Sequence, residues 1–154
     1  MSRQTVSVPL RWADMDAYGH VNNANQIRLM EEARVAGFGV PGGTGSPVSR
    51  EGKVDLFENV GEGLMILVVE HTIRYLAQLP YRDVPAAVDI WISDIKPATF
   101  TVNYEIRDGH DGTLCSRATT LLALADGETG RLTRIPAAVR EAMQAFTDDS
   151  RESD

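Results

Sequence analysis

The sequence predicts an α+β fold in the order strand, long helix, four mostly antiparallel strands and a short closing helix. Three observations predict it. Apolar and polar residues alternate with period two in one stretch before residue 13 and in four stretches after residue 63. Between residues 23 and 37 the period becomes that of a helix. Clusters of Gly, Pro, Asn and Asp punctuate the boundaries. At 154 residues the chain is long enough for one core and too short for two, so residues 1–147 read as a single domain and 148–154 as a polar tail.

In residues 4–12, Val6, Val8, Leu10 and Trp12 fall on one face and Thr5, Ser7, Pro9 and Arg11 on the other, a strand with one buried side. Pro9 lacks a ladder donor and marks an edge or a bulge. After a polar turn, Asn22 or Asn23 can cap a helix, since an Asn side chain accepts from the first free backbone N–H groups. Ile27, Met30, Ala33 and Gly37 then recur at helical spacing, Leu29 and Ala36 widen the stripe, and the helix ends around Gly37 to Gly39. Residues 40–61 read as a long loop with a short turn at 54–57.

The second strand places Met65, Leu67, Val69, His71, Ile73 and Tyr75 on one face. After a turn at 77–83, the third strand, residues 87–95, alternates Val88, Ile90 and Ile92 against Asp89, Trp91 and Ser93. Lys96, Pro97 and Ala98 turn it back into a fourth, which sets Phe100, Val102, Tyr104 and Ile106 opposite Thr99 and its neighbours. Residues 109–112 have hairpin-loop composition and lead to a fifth strand over 114–125. Pro136 is well placed at a helix start, where its missing N–H costs nothing, and Val139, Met143 and Phe146 are the apolar side of that segment.

Composition narrows the function. The 22 acidic and 15 basic residues give a net charge of −7, which argues against nucleic acid as a partner. Any anionic ligand must be met by local cations or helix ends. The lone Cys115 cannot form an intramolecular disulfide, no apolar run reaches membrane-spanning length, and the first residues lack an export core. A cytoplasmic protein without membrane insertion is the expectation. The three His and one Cys are scattered without metal-ligand spacing, and no glycine-rich phosphate loop is present, so neither metal nor cofactor is expected.

The most informative stretch is residues 11–34. It carries Trp12, Asp14, Asp16, Gly19, His20, Val21, Asn22 and Asn23, then Glu32, Ala33 and Arg34 on the helix. This pattern resembles the signature of the hotdog-fold acyl-CoA thioesterases, the family of the hydroxybenzoyl-CoA thioesterases, and the matching succession of elements extends over nearly the whole chain. Gln26 departs from it, standing where many relatives carry Tyr.

The resemblance implies a curved five-stranded antiparallel sheet wrapped around one long helix, assembled as a homodimer through a continuous sheet or as a homotetramer. It implies an acyl-CoA substrate, cleaved to a carboxylic acid and CoA. The alternatives are the same reaction on an acyl-carrier-protein thioester, or a non-catalytic acyl-CoA-binding module. A hydratase fits less well, because the Asp-to-His spacing of hotdog hydratases is missing.

Asp16 matches the family's catalytic carboxylate, as nucleophile or as the base that activates water. Read alone, it also fits an Asx-type turn residue. Asn23 is the best-matched donor to the carbonyl at the helix N-terminus, with Asn22 nearby, and Gly19 permits the sharp turn. His20 either orients substrate or water or packs and caps the turn. Asp14 reads as turn-forming, His71 as a satisfied core histidine, His110 as solvent-exposed, and Glu31 and Glu32 as a charged face near Arg28. For the CoA phosphates the candidate contacts are Lys96 with Thr99 behind it, then Arg82 and Arg117, although each cation alone also fits a solubilising surface charge.

Overall fold

The computed structural model describes residues 3–40, 56–57, 60 and 63–148. Most of the loop expected at 40–61, including the first half of its turn at 54–57, lies outside the described residues, as does nearly all of the tail. The elements are β1 (Gln4–Val8), a 3-10 turn (Trp12–Asp14), α1 (Asn23–Phe38), β2 (Leu64–Tyr75), β3 (Ala86–Ser93), β4 (Thr99–Arg107), β5 (Leu114–Asp126) and α2 (Ala137–Gln144). The five strands form one antiparallel sheet in the order β1-β3-β4-β5-β2, and α1 packs chiefly against β1 and β3. This is the hotdog architecture.

The core lies between α1 and the inner sheet face. Val88, Ile90, Ile92, Phe100, Val102 and Ile106 are fully buried there, against Leu29, Met30 and Phe38 of α1. Each such side chain contributes about 1.5–3 kcal/mol through area removed from water. Gly37 sets the approach of helix to sheet, since a Cβ there would collide with Ile90 Cδ1. α1 ends where Gly39 adopts a positive φ of 79°.

Three strand expectations need correction. Residues 4–12 are not one strand: β1 stops at Val8, and Trp12 sits on the 3-10 turn with 74% of its surface exposed, its ring edge-on to Tyr81. Pro9 supplies no ladder donor, and the Asp14 carboxylate draws the Arg11 N–H into the turn at 2.8 Å. In β2 the alternation has the wrong phase over its first half. Pairing with Leu124 and Leu122 puts Ile66 and Val68 inward, so Met65 and Leu67 face out. A bulge at Val69 then inverts the phase, and His71, Ile73 and Tyr75 face in beside Thr120, Ala118 and Ser116. β3 also ends two residues early, at Ser93, before Asp94 takes a positive φ of 49°.

Candidate active site

Asp14 fixes the approach to the site. It is fully buried, and its carboxylate takes hydrogen bonds from Arg28 Nη2 at 2.6 Å and Nε at 3.2 Å, from Arg11 Nη2 at 3.0 Å and from the Arg11 N–H. Burial pushes this carboxyl up, but the Arg28 and Arg11 hydrogen bonds outweigh it and hold it below the ordinary range. Its backbone carbonyl accepts from Asn22 N–H at 2.8 Å, tying the exit of the 3-10 turn to the helix start. Asp14 is therefore an ion-pair hub rather than a simple turn former, and Arg28 serves it at least as closely as it serves Glu32, 3.7 Å away.

Two residues on, Asp16 meets a different environment. It is half-buried, and its Oδ1 accepts the backbone N–H groups of Tyr18 at 2.8 Å and His20 at 3.1 Å. The backbone closes the same loop, with Asp16 N–H donating to His20 O at 2.7 Å. Gly19, at a φ of +81°, makes the turn without a Cβ conflict. The turn is docked on the 77–83 connection, where Val21 N–H donates to Leu79 O at 2.7 Å and Tyr81 N–H to Gly19 O at 2.9 Å. The His20 N–H is the strongest influence on the Asp16 carboxyl; with that of Tyr18 it outweighs desolvation and lowers the pKa. Asp16 is thus ionised near neutrality. Both bonds land on Oδ1, and among the described residues none reaches Oδ2. The Asx turn therefore leaves one carboxylate oxygen available.

The helix start completes the arrangement. Asn22 is the N-cap, and its Oδ1 accepts from Ala24 N–H at 2.9 Å. The Asn23 N–H has no bonded partner among the described residues, so it remains a donor at the positive end of α1. Tyr75 Oη donates to the Asn23 carbonyl at 2.9 Å, securing the first helical turn to the end of β2.

Asp16, His20, Val21, Asn22, Asn23, Gln26, Gln78 and Leu79 line one cavity of about 260 Å³. Asp16, His20, Asn22 and Asn23 are thus brought together, with Gly19 in the same turn. Lys96 and Thr99 are not. They flank the β3–β4 turn, where Thr99 pairs with Ala123 of β5. That is seven residues along β5 from Ser116, the partner of Gln26, or roughly 23 Å at the rise of a strand. Arg82 is engaged with Asp108 at 2.9 Å and Arg117 with Glu105 at 3.1 Å. Lys96 has no ion-pair partner among the described residues.

His71 is half-buried with Nδ1 2.9 Å from Thr120 Oγ1, and burial, then Arg34, lower its pKa. His110 is exposed in its hairpin. Sequence reasoning did not place Gln78 or Leu79 at the cavity, nor the Tyr75 hydroxyl on the helix, because all three come from distant chain segments. Among the described residues, no cluster of three or more His, Cys, Asp or Glu could hold a metal ion, and no helix is long and apolar enough to cross a membrane.

Comparison with known proteins gives the family and the fold. Residues 10–143 match the model of the thioesterase-like superfamily. No curated protein sequence matches. Among solved structures, the chain resembles a predicted thioesterase from Bacillus stearothermophilus (TM-score 0.73, 18% identity, covering 97% of this chain and 99% of that one). It also resembles a thioesterase from Thermus thermophilus complexed with coenzyme A and Zn (TM-score 0.68, 23% identity, 96% and 95% covered). A third is a DHNA-CoA thioesterase from Staphylococcus aureus (TM-score 0.67, 19% identity, 95% and 89% covered). At these identities the structures establish the shared fold.

Proposed function

The chain belongs to the thioesterase-like superfamily and is a thioester hydrolase; on that premise we propose that it cleaves acyl-CoA thioesters, with Asp16 as the reacting carboxylate. The observation that carries this reading is the pairing, in one cavity, of an ionised carboxylate with a free Oδ2 and an unpaired N–H at the start of a helix. Oδ2 attacks the thioester carbon, or takes a proton from a water that attacks it. The carbonyl oxygen, becoming negative, is received by the Asn23 N–H and the α1 dipole. Collapse then expels the CoA thiolate, whose pKa, near roughly 8.5 by analogy with Cys, requires little help from a general acid. That explains why no Ser-His-Asp arrangement is needed. If Oδ2 attacks directly, water hydrolyses the resulting anhydride and restores Asp16.

The coenzyme A bound to the Thermus thermophilus thioesterase supports CoA as the carrier. The experiment is thiol release across aryl-, short- and long-chain acyl-CoAs, with Asp16→Asn as control. No release, or release that Asp16→Asn retains, overturns the reading. Single-turnover hydrolysis in ¹⁸O-labelled water tests for direct attack, because label in Asp16 arises only when water opens an anhydride at the Asp16 carboxyl carbon.

We further propose a homodimer, itself able to pair into a tetramer, joined edge to edge through β2. That strand is a twelve-residue sheet edge with Leu67, Val68 and Val69 between 40% and 58% exposed, whereas the opposite edge, β1, has five residues. Sedimentation that finds an active monomer at micromolar concentration contradicts it.

A further inference from the structure

Gln26 differs from its neighbours in the cavity. It is 1% exposed, and Ser116 Oγ, itself fully buried, donates to its Oε1 at 2.8 Å. That bond uses one end of the amide. The other end, Nε2, has no partner among the described residues, yet it is not among the atoms sealed from solvent. Its small remaining exposure opens into the cavity it shares with Asp16 and Asn23. A buried donor left unpaired is unfavourable until an acceptor arrives, so Nε2 is set to meet an oxygen that enters with the substrate.

Spacing along the helix bears on which oxygen. Gln26 follows Asn23 by three residues, on the same side of α1 and about 4.5 Å further along its axis. With the carbonyl oxygen on the Asn23 N–H, an acyl chain running inward along α1 carries C3, two bonds beyond the carbonyl carbon, beneath the Gln26 amide. We propose that Gln26 reads an oxygen on C3 of the acyl group, so that 3-oxygenated acyl thioesters are the preferred substrates. This rests on the acyl-CoA thioesterase reading above.

The test compares kcat/KM for butyryl-CoA with that for each enantiomer of 3-hydroxybutyryl-CoA. A site built to hydrogen-bond a substrate hydroxyl discriminates against the analogue lacking it, so one enantiomer should exceed butyryl-CoA by about tenfold or more. In Gln26→Met combined with Ser116→Ala, which removes both polar partners and leaves no orphaned hydroxyl, that ratio should fall to within about threefold of one. The ratio is the readout because damage to folding, or loss of a Gln26-held attacking water, slows both substrates together.

Should the double variant fail to fold, Gln26→Glu serves instead with 3-oxobutyryl-CoA against butyryl-CoA: it keeps the shape and the Ser116 bond but replaces the donor with an oxygen, and because a 3-oxo group only accepts, it should erase the preference. A ratio near one for both enantiomers in the unaltered protein, or a preference that survives these substitutions, overturns the role of Gln26 while leaving the thioesterase reading standing. If none of the three substrates is cleaved, the acyl-CoA reading falls and this inference falls with it.

Discussion

Asp14 and Asp16 stand two residues apart and have the same side chain, yet they occupy opposite chemical situations. Asp14 is fully buried and held by two guanidinium groups, with hydrogen bonds to both of its oxygens. Asp16 is charged without a bonded cation, held by two backbone N–H groups on one oxygen only. Both carboxyls are shifted below the ordinary range, so a depressed pKa does not separate a structural carboxylate from a reactive one. The separation lies in what remains unsatisfied: nothing in Asp14, one oxygen in Asp16.

The largest expected effect is that of Asp16→Asn. It preserves size, and its side-chain oxygen still accepts from Tyr18 and His20, so thermal unfolding should change little. Thiol release should fall by about a hundredfold or more in kcat, the common consequence of losing a nucleophile or general base. A near-normal kcat would move the carboxylate role to Glu31 or Glu32.

Asp14→Asn should show the reverse pattern. Breaking a buried ion pair costs about 3–5 kcal/mol, but the Arg11 side chain is 57% exposed and can regain water, so a loss of about 2–3 kcal/mol is expected in urea unfolding. The folded fraction should keep most of its specific activity. A stable but inactive Asp14→Asn would make this residue part of the chemistry.

The pH dependence sharpens the contrast. The folded pKa of Asp16 is depressed, chiefly by the His20 N–H, so its charge persists to lower pH than that of an ordinary Asp. The acidic limb of kcat/KM should therefore lie below about pH 4. Asp14 is likewise depressed; its contribution to stability is present above the unfolded pKa and is lost as pH falls through the folded one. A limb near pH 6 would point to a group other than Asp16.

The smallest effect concerns Lys96. It is exposed, far along the sheet from Asp16, and reaches substrate only if the pantetheine arm spans that length or a neighbouring subunit presents it. Lys96→Ala should raise KM for acyl-CoA several-fold with little change in kcat, since the nucleotide contributes mainly uniform binding. The effect should shrink with salt and vanish on a pantetheine thioester. Equal damage to both substrates removes Lys96 from phosphate recognition.

Much of this was legible in the sequence. The buried faces of β3 and β4 follow from strict alternation, because each strand has one clearly apolar side, and the Asn22 cap follows from residue type at a change of period. The inner residues of β2 did not follow, because its first half is apolar on both faces and the bulge at Val69 leaves no compositional mark. Trp12 misled because an aromatic at strand spacing reads as core, whereas a short ion-paired turn had already ended the strand. The Asp14 hub was hidden because its second guanidinium comes from Arg28, where spacing alone suggested only glutamate partners on the helix. Gln26 was visible as an oddity, but its contact with Ser116, ninety residues away, was not.

The Tyr75 hydroxyl on the Asn23 carbonyl has a consequence for how the first turn of α1 opens. A helix end ordinarily frays by releasing one local bond at a time, with little loss of anchoring. Here the first residue of the helix is also clasped by a residue 52 positions later in the chain, at the last position of an edge strand. Lifting that turn therefore also opens a long loop, and re-forming it requires that loop to close again. How long the Asn23 N–H stays in position thus depends on a contact made far along the chain as well as on the local bonds of the helix end.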